Sequence, residues 1–191
     1  MGPDPVDQLS TALECTGKVI DAVGTNQWEA PTPCTDWDVT ELVAHLASGN
    51  ARFEAALRHQ EPADDRTVDA DPVGAYRRSI PGLVDAFRAP GVMDELVTLP
   101  FGVVPGSVAA NLRLIEVLVH GWDLAQAVHQ PTSAFPEDLA QAALAFSLGA
   151  LGPIPRGRQF APAQPVADDA PTIDRLAAFL GRPVPSTASP S

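Results

Sequence analysis

The chain has 191 residues, of which 45% are hydrophobic, 19% charged and 6% aromatic. That is enough apolar material for one domain with a sizeable core, and the composition is neither disordered nor fibrous. The formal net charge is −12, with one lysine, Lys18, and no basic stripe among the arginines, so nucleic acid and anionic membrane surfaces, which draw on clustered cations, are disfavoured as partners.

Taken in order, the chain begins without a basic n-region or an apolar h-region between Met1 and Pro5. No later run approaches a membrane span, and a soluble cytoplasmic protein is expected. Val6, Leu9, Leu13, Thr16, Ile20 and Val23 recur at alternating spacings of three and four, a narrow helical stripe closed by Gly24. Cys15 on this helix reads as small packing. Residues 25–36, with Pro31 and Pro33, read as a loop that holds Cys34; the two cysteines make neither a CxxC pair nor a disulfide framework. Asp38 followed by Glu41, just ahead of Leu42, is a capping-box-like pair that starts a second helix running to about His59. Its inner side carries Leu42, His45, Leu46, Gly49, Phe53, Ala56 and Leu57, so His45 lies within an apolar face.

Residues 60–72 are acidic, proline-bearing and non-periodic, and are expected to form a surface loop. A third helix places Tyr76, Ile80, Leu83, Val84 and Phe87 inward, with Pro81 and Gly82 expected to kink or interrupt it. Leu96 to Val104 is the one stretch with strand character; Pro100 argues against a central strand and for an extended crossing segment or a small hairpin. A long helix is expected from an N-cap at Ser107 to about His129, stopping before Pro131. The next begins near Pro136, with Leu139, Ala143, Phe146 and Leu148 as its apolar surface. Residues 152–171 are rich in proline and non-periodic, in the manner of a strap across the body. Pro171, at a first-turn position, opens a short last helix carrying Ile173, Leu176, Phe179 and Leu180 and closed by Gly181. Four long helices with little strand predict an all-α bundle, a single domain over residues 1–185 followed by a disordered tail at 186–191.

The chemistry is concentrated on the long fourth helix. Glu116 and His120 stand four residues apart in an apolar run, so on a helix both heads leave one face about one turn apart. Taken alone, Glu116 pairs with Arg113, three residues earlier, as an exposed salt bridge on the helix surface. Taken with His45, the pair becomes two imidazoles and one carboxylate presented by two helices, the way metal sites in bundle cores are assembled. That donor set suits zinc first, and nickel or iron(II) would accept it too. Three protein ligands leave a fourth position open, the design of a catalytic rather than a structural site. Asp123, three residues past His120, is placed either to orient that ring from behind or to pair with an arginine. Trp122 reads as packing. His59 and His129 fall near helix C-termini, where a charged imidazole complements the dipole, and read as structural. Arg156 and Arg158 in the strap are either contacts for an anionic substrate or ordinary surface charge.

Residues 32–46, TPCTDWDVTELVAHL, resemble the TPC-x-x-W-x-V-x-x-L-V-x-H-L signature of the mycothiol-dependent maleylpyruvate isomerase-like family, within the wider DinB-like metal-binding superfamily. Residues 116–125, EVLVHGWDLA, resemble its second signature, E-x-x-x-H-x-W-D-L-A. Arg158 to Val166 and Asp174 to Pro183 are similar to the C-terminal end of an actinobacterial subgroup, so the resemblance covers nearly the whole chain. It implies a DinB-like four-helix bundle with a crossover connection, a divalent metal between helices, and the family's ligands at His45, Glu116 and His120. It further implies mycothiol as cosubstrate of a metal-dependent S-transferase or isomerase, attacking a small electrophile. A monomer or homodimer is expected. The isomerase's separate C-terminal domain is not evident, which favours a thiol transferase over isomerase activity itself. The alternative is a non-catalytic metal-binding or interaction module.

Overall fold

The computed structural model describes residues 4–61, 70–152 and 161–185. In chain order it contains α1 (Pro5–Asp21), α2 (Val39–Leu57), α3 (Pro72–Phe87), β1 (Leu96–Leu99), β2 (Gly102–Pro105), α4 (Gly106–Ala127), α5 (Glu137–Ala150) and α6 (Thr172–Phe179). The helix starts follow local chemistry. Asp4 caps α1 through the Val6 N–H, with proline in the first turn. The capping box of α2 is complete: the Asp38 carboxylate accepts the Glu41 N–H at 2.9 Å, and the Glu41 carboxylate accepts the Asp38 N–H at 3.1 Å.

Three expectations need correction. Ser107 does not cap α4; Pro105 holds that position without a side-chain bond. The backbone leading into the hairpin does the work instead, its Glu95 and Met93 carbonyls accepting the Gly106 and Ser107 N–H groups. Of the two effects expected at Pro81, interruption does not occur: α3 runs unbroken from Pro72 to Phe87, held by buried residues on both sides, Tyr76 before it and Leu83, Ala86 and Phe87 after it. Leu148 is 52% exposed, because the buried stripe of α5 runs through Leu139, Ala140, Ala143, Leu144 and Ser147 and leaves it one residue off the inner face.

Helices α2, α4 and α6 end alike. The residue after each C-cap, His59, His129 or Gly181, has a positive φ of 54°, 59° or 92°. Its N–H and the next one bond back into the last turn: His59 to Ala56 and Gln60 to Ala55, His129 to Gln126 and Gln130 to Ala125, Gly181 to Ala178 and Arg182 to Ala177. This is the Schellman pattern. His59 and His129 are thus structural, as the sequence suggests, but through their left-handed backbone.

Helix α1 packs on α3 and α4, and α2 packs on the same two. The chain therefore crosses the bundle between α1 and α2 and again, through the hairpin, between α3 and α4. The result is the all-α DinB-like architecture with a small hairpin. In the hairpin, antiparallel pairs run from Leu96 opposite Pro105 to Leu99 opposite Gly102. Val97 and Leu99 point into the core. Helices α5 and α6 pack on each other and on α4, which makes α4 the most enclosed element. Trp122 on α4 is fully buried, as its packing role required, and its indole N–H donates to Asp174 on α6 at 2.7 Å. Among the described residues no helix is long and apolar enough to cross a membrane.

Candidate metal centre

The loop between α1 and α2 forms one wall. Its Thr32 hydroxyl lies 2.9 Å from the Cys34 carbonyl and 2.8 Å from the Trp37 carbonyl, while the Trp37 N–H donates to Cys34 at 3.0 Å. The tight turn lays the Trp37 indole over His45, with ring centroids 4.0 Å apart and planes 23° from parallel. The His120 ring stands edge-on to both.

Under this wall α2 and α4 bring three candidate ligands together. His45 Nε2 lies 3.0 Å from Glu116 Oε1. One ligand atom from each of His45, Glu116 and His120 lies within 4.8 Å of the other two. The side chains of His45 and Glu116 are 20% and 28% exposed, so the cluster opens to solvent on one side. Two imidazoles and one carboxylate at this spacing fit a divalent cation chemically.

Arg113 underlies Glu116. It sits 2.8 Å from Glu116 Oε2, three residues back on α4, with no exposure. The pair noted in the sequence is therefore real, but it is not a surface bridge. The Nη1 contact lacks the alignment of a hydrogen bond, so it is an ion-pair contact. The other guanidinium nitrogens are well bonded: Nε to Asn50 Oδ1 at 2.9 Å, and Nη2 to Asn50 Oδ1 and the Leu46 carbonyl at 2.7 Å each. Gly49 makes room for this group, since a Cβ there would stand 2.5 Å from Arg113 Nη1.

Asp123 lies behind His120 with no exposure, and its Oδ2 is 3.1 Å from His120 Nδ1. An ionised carboxylate only accepts, so Nδ1 carries the proton and Nε2 keeps its lone pair. Both roles open to Asp123 in the sequence are filled at once, because Arg182 donates to it through Nη2 at 3.0 Å and Nε at 3.3 Å. Cys34, with His120 and Asp123, forms a second group whose ligand atoms lie within 4.8 Å. In that group Asp123 is already committed to Arg182 and His120.

The model of the mycothiol maleylpyruvate isomerase N-terminal domain matches residues 9–125, from α1 through the whole cluster. The chain belongs to this family. Two proteins of Mycobacterium tuberculosis, from two strains and each called an uncharacterized protein, are 36% identical over 185 residues, 95% of this chain and 99% of theirs. No solved structure matches.

Within the family domain the electrostatics are uneven. Burial alone pushes the Glu116 carboxyl up, but Arg113, the His45 hydrogen bond and His120 outweigh it and hold the group below the usual carboxylate range. Burial pushes His120 down, against the pull of the Asp123 hydrogen bond, which favours the neutral ring that a metal needs. Burial pushes the Cys34 thiol up, with Arg182 opposing. Trp37 also lines a cleft of about 320 Å³ together with Glu29, Thr32, Asp36, Asp38 and Glu41, whose carboxylates disfavour anions there.

Arg156 and Arg158 lie outside the described residues. Sequence reading underused Trp37, Cys34 and Arg113 and missed Arg182. The first two sit inside the TPCTDW motif, and Arg182 follows a helix-closing glycine, a position that turns the chain back toward the body.

Proposed function

We propose that the chain binds a divalent metal, zinc before nickel or iron(II), through His45, Glu116 and His120, and acts as a mycothiol-dependent S-transferase or isomerase on a small electrophilic substrate. The supporting observation is the convergence of those three ligand atoms within 4.8 Å beside an opening to solvent. A cation bound there supplies Lewis acidity and lowers the pKa of a coordinated thiol, so that the cosubstrate's sulfur reacts at neutral pH. The chain's own residues prepare that site. Asp123 keeps the proton on His120 Nδ1 and leaves Nε2 free. His45 Nε2 and Glu116 Oε1, 3.0 Å apart, are near enough to serve one cation together once Nε2 presents its lone pair. Arg113 keeps Glu116 ionised, and Trp37 screens the His45 face. Cys34, its thiol pushed up by burial, is not the nucleophile in this scheme.

One observation favours a second reading, a purely structural polar network: both Glu116 oxygens already have partners, His45 and Arg113. Cobalt(II) separates the two. Metal-free protein loaded with cobalt(II) and given mycothiol should develop sulfur-to-cobalt charge-transfer absorption that His120→Ala lacks. Bound cobalt with no such band would contradict the thiol role, and no bound cobalt would favour the structural network.

A further inference from the structure

We infer that Arg182, beyond the end of α6 and outside the matched family domain, is a positioning residue for the candidate metal centre. It fixes the Asp123 carboxylate, which in turn holds the His120 ring with Nε2 available to a cation. Its purpose rests on the metal reading above; its geometry does not.

The placement begins with the end of α6. Gly181 adopts a φ of 92°, and a Cβ added there would stand 2.6 Å from the Ala161 side chain, so this turn takes glycine on two counts. The Schellman closure then fixes the next residue, because the Arg182 N–H is tied to the Ala177 carbonyl at 2.9 Å. From that anchored backbone the side chain reaches α4. Nη1 donates to Leu180 at 3.0 Å, which orients the guanidinium plane, while Nη2 and Nε grip the two Asp123 oxygens at 3.0 and 3.3 Å.

Asp123 has no exposure and its other partner is His120 Nδ1. Without the fork, that carboxylate would be a buried charge held by one hydrogen bond and free to rotate about its side chain. The His120 ring would then lose the partner that fixes both its plane and its tautomer. Arg182 also occupies both Asp123 oxygens, which withholds Asp123 from the competing group with Cys34 and keeps His120 for the set with His45 and Glu116. The docking of α6 has its own tie, from the Trp122 indole to Asp174 at 2.7 Å, so positioning and docking can be separated.

The test compares full-length wild type with Arg182→Gln, Arg182→Lys and Asp174→Ala, which removes the acceptor of the Trp122 indole N–H. Zinc affinity is measured by chelator competition, and the His120 tautomer in metal-free protein by nitrogen-15 NMR. Wild type should show His120 protonated at Nδ1 alone. Arg182→Gln should show a mixture of tautomers and bind zinc about ten-fold or more weakly. Arg182→Lys, which keeps the charge but not the fork, should fall between, and Asp174→Ala should match wild type. Unchanged affinity and tautomer in Arg182→Gln would overturn the inference. So would an equal loss in Asp174→Ala, because docking alone would then explain the effect. If Arg182→Gln does not fold, Arg182→Lys decides, and a wild-type tautomer in that variant overturns the inference. If wild type binds no zinc, the metal reading fails, and the tautomer comparison still decides the role of Arg182.

Discussion

The inner floor and the outer wall of the cluster are each built on an arginine, and the two are supported in opposite ways. Arg113 lies under Glu116 on the same helix, without exposure, and is bonded to Asn50 and Leu46 of α2. Asn50 in turn donates to Ser79 of α3 at 2.8 Å, so the floor joins three helices of the bundle. Arg182 is 15% exposed, comes from the last described turn of the chain, and touches α4 through Asp123. The carboxylate that faces the opening therefore draws its counter-charge from the core, whereas the histidine draws its support from a peripheral segment. Damage to the floor should cost the fold, while damage to the wall should cost chiefly the geometry of one candidate ligand.

The sharpest way to break that contrast is Arg113→Met. It leaves Glu116 and the Asn50 oxygen without their buried partner and should lower unfolding stability by about 3 kcal/mol, read by urea denaturation. Adding Glu116→Gln should recover part of the loss, since a missing pair is less harmful than a broken one. A loss in Arg113→Met no larger than in Arg182→Gln would erase the difference. Arg182→Gln itself should cost about 1–2 kcal/mol in the same measurement, because the glutamine amide can still donate one hydrogen bond to Asp123 and α6 keeps its tie to Trp122.

Acid should sharpen the comparison from the ligand side. His120 is pushed below its ordinary value of 6.5 by burial, so below that pH the unfolded chain takes up the proton first. The native metal-free protein loses stability as pH falls from 7 toward 5 and through the lower native value. Glu116 acts in the same direction at lower pH: held down by its partners, its contribution is present above about pH 4 and lost on further acidification. His120→Asn should flatten the loss between pH 7 and 5; an unchanged slope would show that the ring does not carry it. The smallest expected effect lies away from both walls. His129→Gly relieves a left-handed φ of 59°, and the gain, net of glycine's greater chain entropy, should be about 0.5 kcal/mol. Any change in zinc affinity in that variant would contradict its purely structural role.

What the sequence made legible was local. The Asp38–Glu41 box, the stripe of α1 and the one-turn spacing of Glu116 and His120 each depend on residues within a turn or two, and each is found where expected. The Arg113–Glu116 spacing was equally legible, but its environment was not. From Arg113 to Ala125 every residue of α4 except Glu116 is buried, so the helix has no surface side at that level, and an isolated periodicity reading cannot reveal this. Ser107 misled for a similar reason, because the carbonyls that cap α4 belong to the hairpin approach. Arg182 and Asp123 meet across 59 residues, and no local pattern encodes that contact. Only the glycine at 181 hinted that the chain turns back.

The most direct measurement of the central claim is zinc stoichiometry. Metal-free full-length protein is titrated with zinc against a competing chelator, with His45→Ala, Glu116→Ala and His120→Ala alongside and their folds checked by circular dichroism. The expected result is equimolar tight binding in wild type, abolished by each folded variant. Stoichiometric zinc retained by His120→Ala would contradict the assignment of His45, Glu116 and His120 as the metal ligands.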